Sequence, residues 1–315
     1  ETGDLLLALY GATSGDIAIS KIKGAINQAI LCIRTKQNKK FIESVWNKHV
    51  ERLLQTYLQG GQGNLSADIV KNIPFYFANS NEQDKLAKFI SLLDERIATQ
   101  NKIIEKYESL IQAMCDTLVE QETQQVTLSF SDFGQSYLGL SGKSAEDFGE
   151  GYPFITYMNV YQNQIIDLTD VGLVKINETE QQSVVRYILL TLSSETPEEV
   201  GMGAVYLGET YPLYLNSFCF GIHITDESKI YPPFLAYYVS SQSFRKAVYP
   251  LAQGSTRFNL QKSDFMKKKF SFPMIEKQRK IYSTLKTYSD KLIVEKQIMR
   301  LLCNQKCYLL RQLFI

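Results

Sequence analysis

The sequence predicts an α+β protein in which two mixed α/β domains are separated by a long antiparallel two-helix coiled coil. Three observations lead to this fold class: an internal repeat, a long segment without glycine or proline in each copy, and short strand-like segments between the two long segments. With 315 residues, of which 44% are hydrophobic and 21% charged, the chain is large enough for two domains.

Composition excludes several classes of protein before any motif is considered. No uninterrupted apolar run is longer than that from Leu5 to Tyr10, whereas a membrane-spanning helix needs about 20 apolar residues. The sequence starts without the charged and apolar pattern of a secretory signal. Its five cysteines are sparse and odd in number, which is typical of reduced thiols rather than of a disulfide framework. We therefore expect a cytoplasmic protein that does not bind a membrane.

An internal repeat organises the chain. A shift of 195 positions places residues of the first half on identical residues of the second half. The matched pairs include Asn64 with Asn259, Phe75 with Phe270, Phe77 with Phe272 and Gln83 with Gln278. A period this long indicates a duplicated domain pair rather than a solenoid. Because Glu1 aligns near the middle of the second copy, the first copy starts without roughly its first 70 residues.

The repeat divides the chain into four predicted segments. Residues 1–78 are the C-terminal part of the first globular domain, and residues 79–123 are the first long helix. Residues 124–272 are the second globular domain, and residues 273–315 are the second long helix.

Each copy ends in a segment that predicts one long helix. No glycine or proline occurs from Asn79 to Phe133 or from Met274 to Ile315. Apolar residues recur at heptad spacing in both segments, which predicts a coiled-coil seam. The seam residues are Leu86, Ile90, Leu93, Ile97 and Ile104 in the first helix and Ile281, Leu285, Tyr288, Leu292 and Met299 in the second. A helix of about 40 residues is about 60 Å long.

The charges of the two helices favour pairing with each other. Residues 79–123 hold nine acidic and five basic side chains, whereas residues 274–315 hold three acidic and nine basic ones. Opposite charge favours a mixed pair over two like pairs. Three polar residues interrupt the seams, and such residues fix the register of a coiled coil; they are Gln100, Glu295 and Lys306. The alternative is that the charges only face solvent, since exposed ion pairs contribute little to stability.

Residues 126–272 alternate short strand-like segments with glycine and proline. The predicted strands are Ile165–Asp167, Arg186–Leu192, Ala204–Leu207 and Phe218–Ile224. Helical spacing of apolar residues predicts one helix from Pro232 to Tyr249, with a counterpart in the first copy from Lys40 to Leu58. In each copy a polar, glycine-containing turn follows, and then a strand-like segment, Phe75–Phe77 or Phe270–Phe272, leads to the long helix.

The sequence contains no complete catalytic motif. It has two histidines and no Cys-x-x-Cys pair, so we expect no metal site. Gly142-Lys143-Ser144 is similar to the end of a phosphate-binding loop, but Tyr137 stands where the required earlier glycine belongs. Pro232-Pro233-Phe234 is similar to part of an adenine-methyltransferase motif, but Tyr231 replaces its asparagine or aspartate.

Polar loops in both copies are the candidates for a DNA contact. Hydroxyl, amide and guanidinium groups bind phosphates and base edges, and lysines bind the phosphate backbone. The candidate residues are Gly60, Gln62 and Asn64 in the first copy and Ser193, Ser194, Thr196, Ser255, Thr256, Arg257, Asn259, Lys267 and Lys268 in the second. Ser193 to Glu199 is predicted to be an exposed polar loop. The alternative for each candidate is an ordinary surface turn. The equivalent loops of the two copies carry different side chains, however, which favours two domains that each recognise a different short sequence.

Several segments resemble the specificity (S) subunits of type I restriction-modification systems. The run from Asn259 through Phe270-Ser271-Phe272-Pro273 to Gln278 is similar to the junction between a target-recognition domain and a conserved helix in that family. The segment from Asn64 to Leu86 is similar to the same junction, although Ala78-Asn79-Ser80-Asn81 departs from the family's pattern. Ser193 to Gly201 and Gly3 to Ala8 resemble further segments of such recognition domains.

The resemblance implies a noncatalytic subunit that recognises double-stranded DNA. It implies two target-recognition domains, each reading one half of a bipartite asymmetric target, held apart by the two helices. It implies two methylation (M) subunits that bring S-adenosylmethionine and restriction (R) subunits that bring ATP and Mg²⁺, with no cofactor on this chain. Two alternatives remain: a coiled-coil assembly scaffold without DNA contact, and a DNA-modifying enzyme in its own right.

Overall fold

The computed structural model describes residues 1–57, 65–177, 187–208 and 213–314. These residues form an α+β fold, as the sequence predicts. They divide into two compact units: the first is Glu1–Lys106 with Leu292–Ile315, and the second is Tyr107–Lys291. The domain boundaries at residues 78, 123 and 272 stay predictions. No helix within the described ranges is long and apolar enough to cross a membrane.

The first unit is built around a small antiparallel sheet. Its strands are β1 (Leu5–Ala8), β2 (Ile17–Ile19) and β3 (Ile30–Ile33), with β1 in the middle. Helix α1 (Lys39–Tyr57) confirms the helix predicted from Lys40 to Leu58. Trp46 and Leu53 of α1 are buried together with Leu7 of β1, and the indole Nε1 of Trp46 donates a 2.7 Å hydrogen bond to the carbonyl of Gly15. A short helix, α2 (Ala67–Lys71), and the long helix α3 (Ser80–Glu120) follow.

The prediction of a strand at Phe75–Phe77 is wrong, because these residues are irregular. Their equivalents in the second copy lie in β15 (Lys269–Pro273), which pairs antiparallel with β4 (Gln125–Ser129). A strand needs a neighbouring strand to pair with its backbone amide and carbonyl groups. Among the described residues, no strand pairs with Phe75–Phe77.

The second unit consists of short strands and helices. Between β4 and β15 lie the strands β5 (Gly134–Leu138), β6 (Phe148–Ile155), β7 (Gly172–Val174), β8 (Tyr187–Thr191), β9 (Ser193–Ser194), β10 (Gly203–Tyr206), β11 (Tyr214–Leu215), β12 (Cys219–Ile224), β13 (Ala252–Gln253) and β14 (Phe258–Leu260). The helices are α4 (Tyr157–Gln162), α5 (Pro232–Tyr238), α6 (Gln242–Val248), α7 (Lys262–Lys267) and the long helix α8 (Ile275–Leu313).

A four-stranded antiparallel sheet of order β10-β8-β12-β5 is the centre of the second unit. Three consecutive residues of β8, Ile188–Leu190, are fully buried, so both faces of this strand are covered. A cluster of phenylalanine rings fills another part of the core. Phe130 stacks on Phe265 at 5.0 Å between ring centroids, and Phe244 stacks on Phe270 at 5.1 Å. Offset aromatic stacks of this kind add to the free energy gained by burial.

Two predicted elements of the second unit are corrected. The helix predicted from Pro232 to Tyr249 is divided into α5 and α6, because the hydroxyl of Ser241 caps α6 by accepting from the amide of Phe244. The strand predicted at Ile165–Asp167 is reduced to a single bridge from Ile165 to Val205. The buried side chain of Asn159 takes the hydrogen bonds that a strand would use, since it accepts from the amide of Asp167 and donates to its carbonyl. The other three predicted strands correspond to β8, β10 and β12.

The long helices contact each other within both units. In the first unit, Asp94 of α3 forms a 2.6 Å ion pair with Lys306 of α8, and Gln100 donates 2.6 Å to the carboxylate of Glu295. From the first contact to the second, the residue number rises in α3 and falls in α8, so the two helical segments run antiparallel there. In the second unit, Glu122, just beyond the end of α3, forms an ion pair with Lys277 of α8 at 3.2 Å. All ten predicted seam residues are buried or half-buried.

One buried glutamine in each copy connects a helix start to a long helix. In the first unit, Gln83 of α3 accepts from the amide of Asn38, just before α1, and donates to the carbonyl of Ala78. In the second unit, the repeat-equivalent Gln278 of α8 accepts from the amide of Tyr231, just before α5, and donates to the carbonyl of Pro273. Both side chains are almost fully buried, at 2% and 0% exposed. Each amide therefore holds three separate points of the chain together.

We predict that Gln278→Ala lowers the free energy of unfolding by about 1–3 kcal/mol, because the fully buried Gln278 side chain no longer accepts from the amide of Tyr231. Urea unfolding followed by circular dichroism measures the change. Gln297→Ala is the matched control, since Gln297 is an exposed glutamine of the same helix. Equal stabilities of the two variants would show that the buried amide does not hold the helix start.

Candidate nucleic-acid interface

The turn between β13 and β14 carries three of the predicted DNA-binding residues on its surface. Ser255, Thr256 and Arg257 are all exposed. Gly254 shapes this turn: its φ of +140° is a conformation that side chains rarely adopt, and a Cβ there would lie 2.1 Å from the carbonyl oxygen of Arg257. A turn that only glycine can form fixes the direction in which the next three side chains leave the backbone.

Strands β13 and β14 form a hairpin, and β14 also pairs with β9. Asn259 of β14 is exposed and lies opposite Ser193, and Phe258 lies opposite Ser194. Ser193 and Ser194 are buried, at 5% and 7% exposed, so the prediction that they belong to an exposed polar loop is wrong for these two residues. The reason is that they form β9, the third strand of the sheet that contains the hairpin, instead of a loop. Thr196, two residues further on, is exposed as predicted.

Arg245 holds the segment that follows Thr196. Its guanidinium donates hydrogen bonds of 2.6–2.7 Å to the carbonyls of Glu198, Val200 and Gly201. Burial lowers the pKa of Arg245. Sequence reasoning missed this residue; the available signal was an arginine on a helix between the core residues Phe244 and Val248. A guanidinium used in this way fixes a loop and is not free to contact DNA.

Two further hydrogen bonds fix the same segment through Glu199. The phenol of Tyr161 donates a 2.6 Å hydrogen bond to Glu199, and the hydroxyl of Ser194 donates a 3.0 Å hydrogen bond to the same carboxylate. The bond to Glu199 raises the pKa of Tyr161 to about 12, and it lowers the pKa of Glu199. Ser194 therefore has a partner inside the protein, which identifies it as a support for the loop backbone.

Phe218 is a surface residue that the sequence analysis placed at the start of a predicted strand, Phe218–Ile224. It lies in the turn before β12, and its side chain is 52% exposed. The guanidinium carbon of Arg257 lies 5.4 Å from the centre of the Phe218 ring. The available signal was a large aromatic directly after Asn216-Ser217, a pair typical of a turn.

The predicted lysine cluster is divided between two elements. Lys267 ends α7 and is exposed, and Lys268 caps that helix and is half-buried. The next residue, Lys269, lies in β15 and forms a 2.8 Å ion pair with Asp132. This contact with Lys269 is the first cause of the low pKa of Asp132. Lys267 and Lys268 carry charge toward solvent, whereas the charge of Lys269 is partly balanced by a carboxylate.

The candidates of the first copy, Gly60, Gln62 and Asn64, lie outside the described residues. Within the described residues, no group of three or more histidine, cysteine, aspartate or glutamate side chains is arranged to hold a metal ion.

Comparisons with known proteins give one consistent result. The family model of the type I restriction modification DNA specificity domain matches residues 1–109 and 139–302 of this chain. A crystal structure of a type I restriction-modification system S subunit from M. genitalium is similar with a TM-score of 0.57 at 17% identity, over 100% of this chain and 83% of that one. A chain from work on complex assembly and conformational transition of the type I R-M system is similar with a TM-score of 0.60 at 15% identity, over 100% of this chain and 82% of that one.

At these identities the two structures are similar to this chain in fold. The family model, in contrast, matches most of the sequence and includes parts of both repeats. The chain belongs to the type I restriction modification DNA specificity domain family, which is a family of DNA sequence recognition.

Proposed function

We propose that this chain is the sequence-specific DNA recognition subunit of a type I restriction-modification complex and that it reads a bipartite asymmetric target. The match of the family model to both repeats is the observation that carries this proposal. Each repeat reads one half of the target, because the two copies present different side chains in equivalent loops. In the second copy the hairpin turn with Ser255, Thr256 and Arg257 reads bases, and Lys267 and Lys268 bind the phosphate backbone.

The two long helices act as a spacer between the recognition domains. They form an antiparallel coiled coil along the predicted seam, and the polar contacts of Asp94, Gln100 and Glu122 with α8 support this pairing. Burial raises the pKa of Asp94, but ion pairs with Lys306 and Lys40 outweigh burial, so its pKa is lowered and the carboxylate stays charged. About 60 Å of helix corresponds to roughly 17 base pairs, which is the upper limit of the span.

The chain also scaffolds the other subunits and performs no chemistry itself. Two methylation subunits bind the helices and the adjoining domain faces and bring S-adenosylmethionine. Restriction subunits bring ATP and Mg²⁺. The net charge of +1 is compatible with DNA binding in a complex, since partner subunits supply part of the phosphate contact.

The direct test of this function is the pattern of methylation in a host without other methyltransferases. The chain is expressed there with its methylation subunit, and modified bases are mapped over the genome. We expect one bipartite motif with a fixed spacer and methylated adenines. An absence of methylation, together with no shift of DNA by the purified complex, would favour the coiled-coil scaffold. Binding of S-adenosylmethionine by the isolated chain would favour an enzyme.

We predict that Gln100→Glu destabilises the protein at pH 7 by about 1–3 kcal/mol, because two carboxylates then meet at a buried contact. The loss becomes smaller as the pH falls, since protonation of either carboxyl removes the repulsion. Chemical unfolding at pH 7 and pH 4.5 measures both effects. Asn101→Glu adds the same charge at the next, exposed position and is the matched control. If both variants are equally stable at both pH values, Gln100 does not face Glu295.

A further inference from the structure

We propose that Phe218 positions Arg257 to recognise a guanine in the half of the target read by the second copy. This inference rests on the proposed function and extends it to one base pair. Arg257 is the residue that contacts the base, and Phe218 acts through it. The two side chains come from separate turns, so the pair is formed by the fold and is absent from any local motif of the sequence.

The geometry of the pair restricts the guanidinium. Its central carbon lies 5.4 Å from the ring centre of Phe218, within the distance of about 6 Å at which a cation is attracted to an aromatic face. Both side chains are exposed. Arg257 forms no ion pair with any carboxylate among the residues that the structure describes. The aromatic face therefore limits the positions of a charged group whose N–H donors remain available at the surface.

The backbone fixes both turns to one residue. The amide of Leu192 donates a 2.8 Å hydrogen bond to the carbonyl of Phe218, and the carbonyl of Leu192 accepts a 2.8 Å hydrogen bond from the amide of Leu260. Leu260 ends β14, three residues after Arg257. The turn of Phe218 is fixed further by its own amide, which donates to the side chain of Asn216 at 2.8 Å. The two turns that carry the ring and the guanidinium are thus held by the folded protein before any DNA is bound.

The chemistry of a positioned guanidinium selects the base. Guanine presents two acceptors, O6 and N7, on its major-groove edge, and a planar guanidinium can donate to both at once. Adenine presents a donor in place of O6 and is rejected. The two other arginines of the second unit that the structure describes are used differently. Arg245 donates to three backbone carbonyls, and Arg279 of the long helix stacks on Tyr231, with its guanidinium carbon 4.4 Å from the ring centre. Arg257 is the arginine of this unit that lies on the hairpin turn.

The test compares methylation motifs of variants in the complex with the methylation subunit. Arg257→Ala should reduce discrimination at one G·C base pair by about 5- to 150-fold and leave the other half of the motif unchanged. Phe218→Ala should relax the same base pair to a smaller extent, and Phe218→Tyr, which keeps the ring, should retain the motif. Arg279→Ala removes a similar stack elsewhere and should leave the motif unchanged. Relaxation at different base pairs, or an unchanged motif in Arg257→Ala, would overturn the inference.

If a variant loses all methylation, a binding measurement tests instead whether Arg257 contacts the N7 atom of guanine. Duplexes with the wild-type motif are prepared with guanine or with 7-deazaguanine, which lacks the N7 acceptor, and binding to the purified complex is compared. We expect several-fold weaker binding of the 7-deazaguanine duplex by wild type, a smaller difference for Phe218→Ala and no such difference for Arg257→Ala. Equal differences in all three proteins would contradict the proposal. A wild-type complex without any methylated motif would instead contradict the proposed function.

Discussion

Two buried glutamines fix how each copy of the repeat is attached to its long helix. Gln83 and Gln278 occupy equivalent positions of the repeat. Each accepts from the amide of the residue just before a domain helix and donates to the carbonyl of a residue just before the long helix. Because a buried amide must satisfy both its donor and its acceptor, each glutamine links the start of a domain helix to the long helix.

On the surface of the second copy, a loop whose polar groups are bonded inside the protein lies next to a turn whose polar groups are exposed. Polar groups inside the protein, from Arg245, Tyr161 and Ser194, satisfy the backbone and the carboxylate of the loop from Thr196 to Gly201. The exposed groups of the neighbouring hairpin turn remain for a partner. A recognition surface that is organised in advance loses less entropy when it binds. The proposed specificity therefore depends on buried polar side chains that fix the loop and on exposed polar side chains that remain to contact DNA.

The sequence predicts the elements that repeat or have a strong period. The long helices and the helix from Lys40 were predicted closely, because heptads and helical spacing report burial along a single element. Elements that depend on distant partners were not. Phe75–Phe77 is irregular since no strand pairs with it in the described residues, and Ser241 divides a predicted helix by capping it. At the candidate site, Arg257 was predicted from its chemistry, whereas Phe218 could be found only when the fold placed its turn beside the hairpin.

We propose that paired helices keep two recognition domains at a set distance, and the spacer of the proposed bipartite motif is the most direct test of this claim. Inserting one heptad at matched points of α3 and α8 lengthens the pair by about 10 Å, which corresponds to roughly three base pairs. Mapping of methylated bases should then show both half-sites unchanged and a spacer longer by about three base pairs. An unchanged spacer in a stable, active complex would contradict the claim.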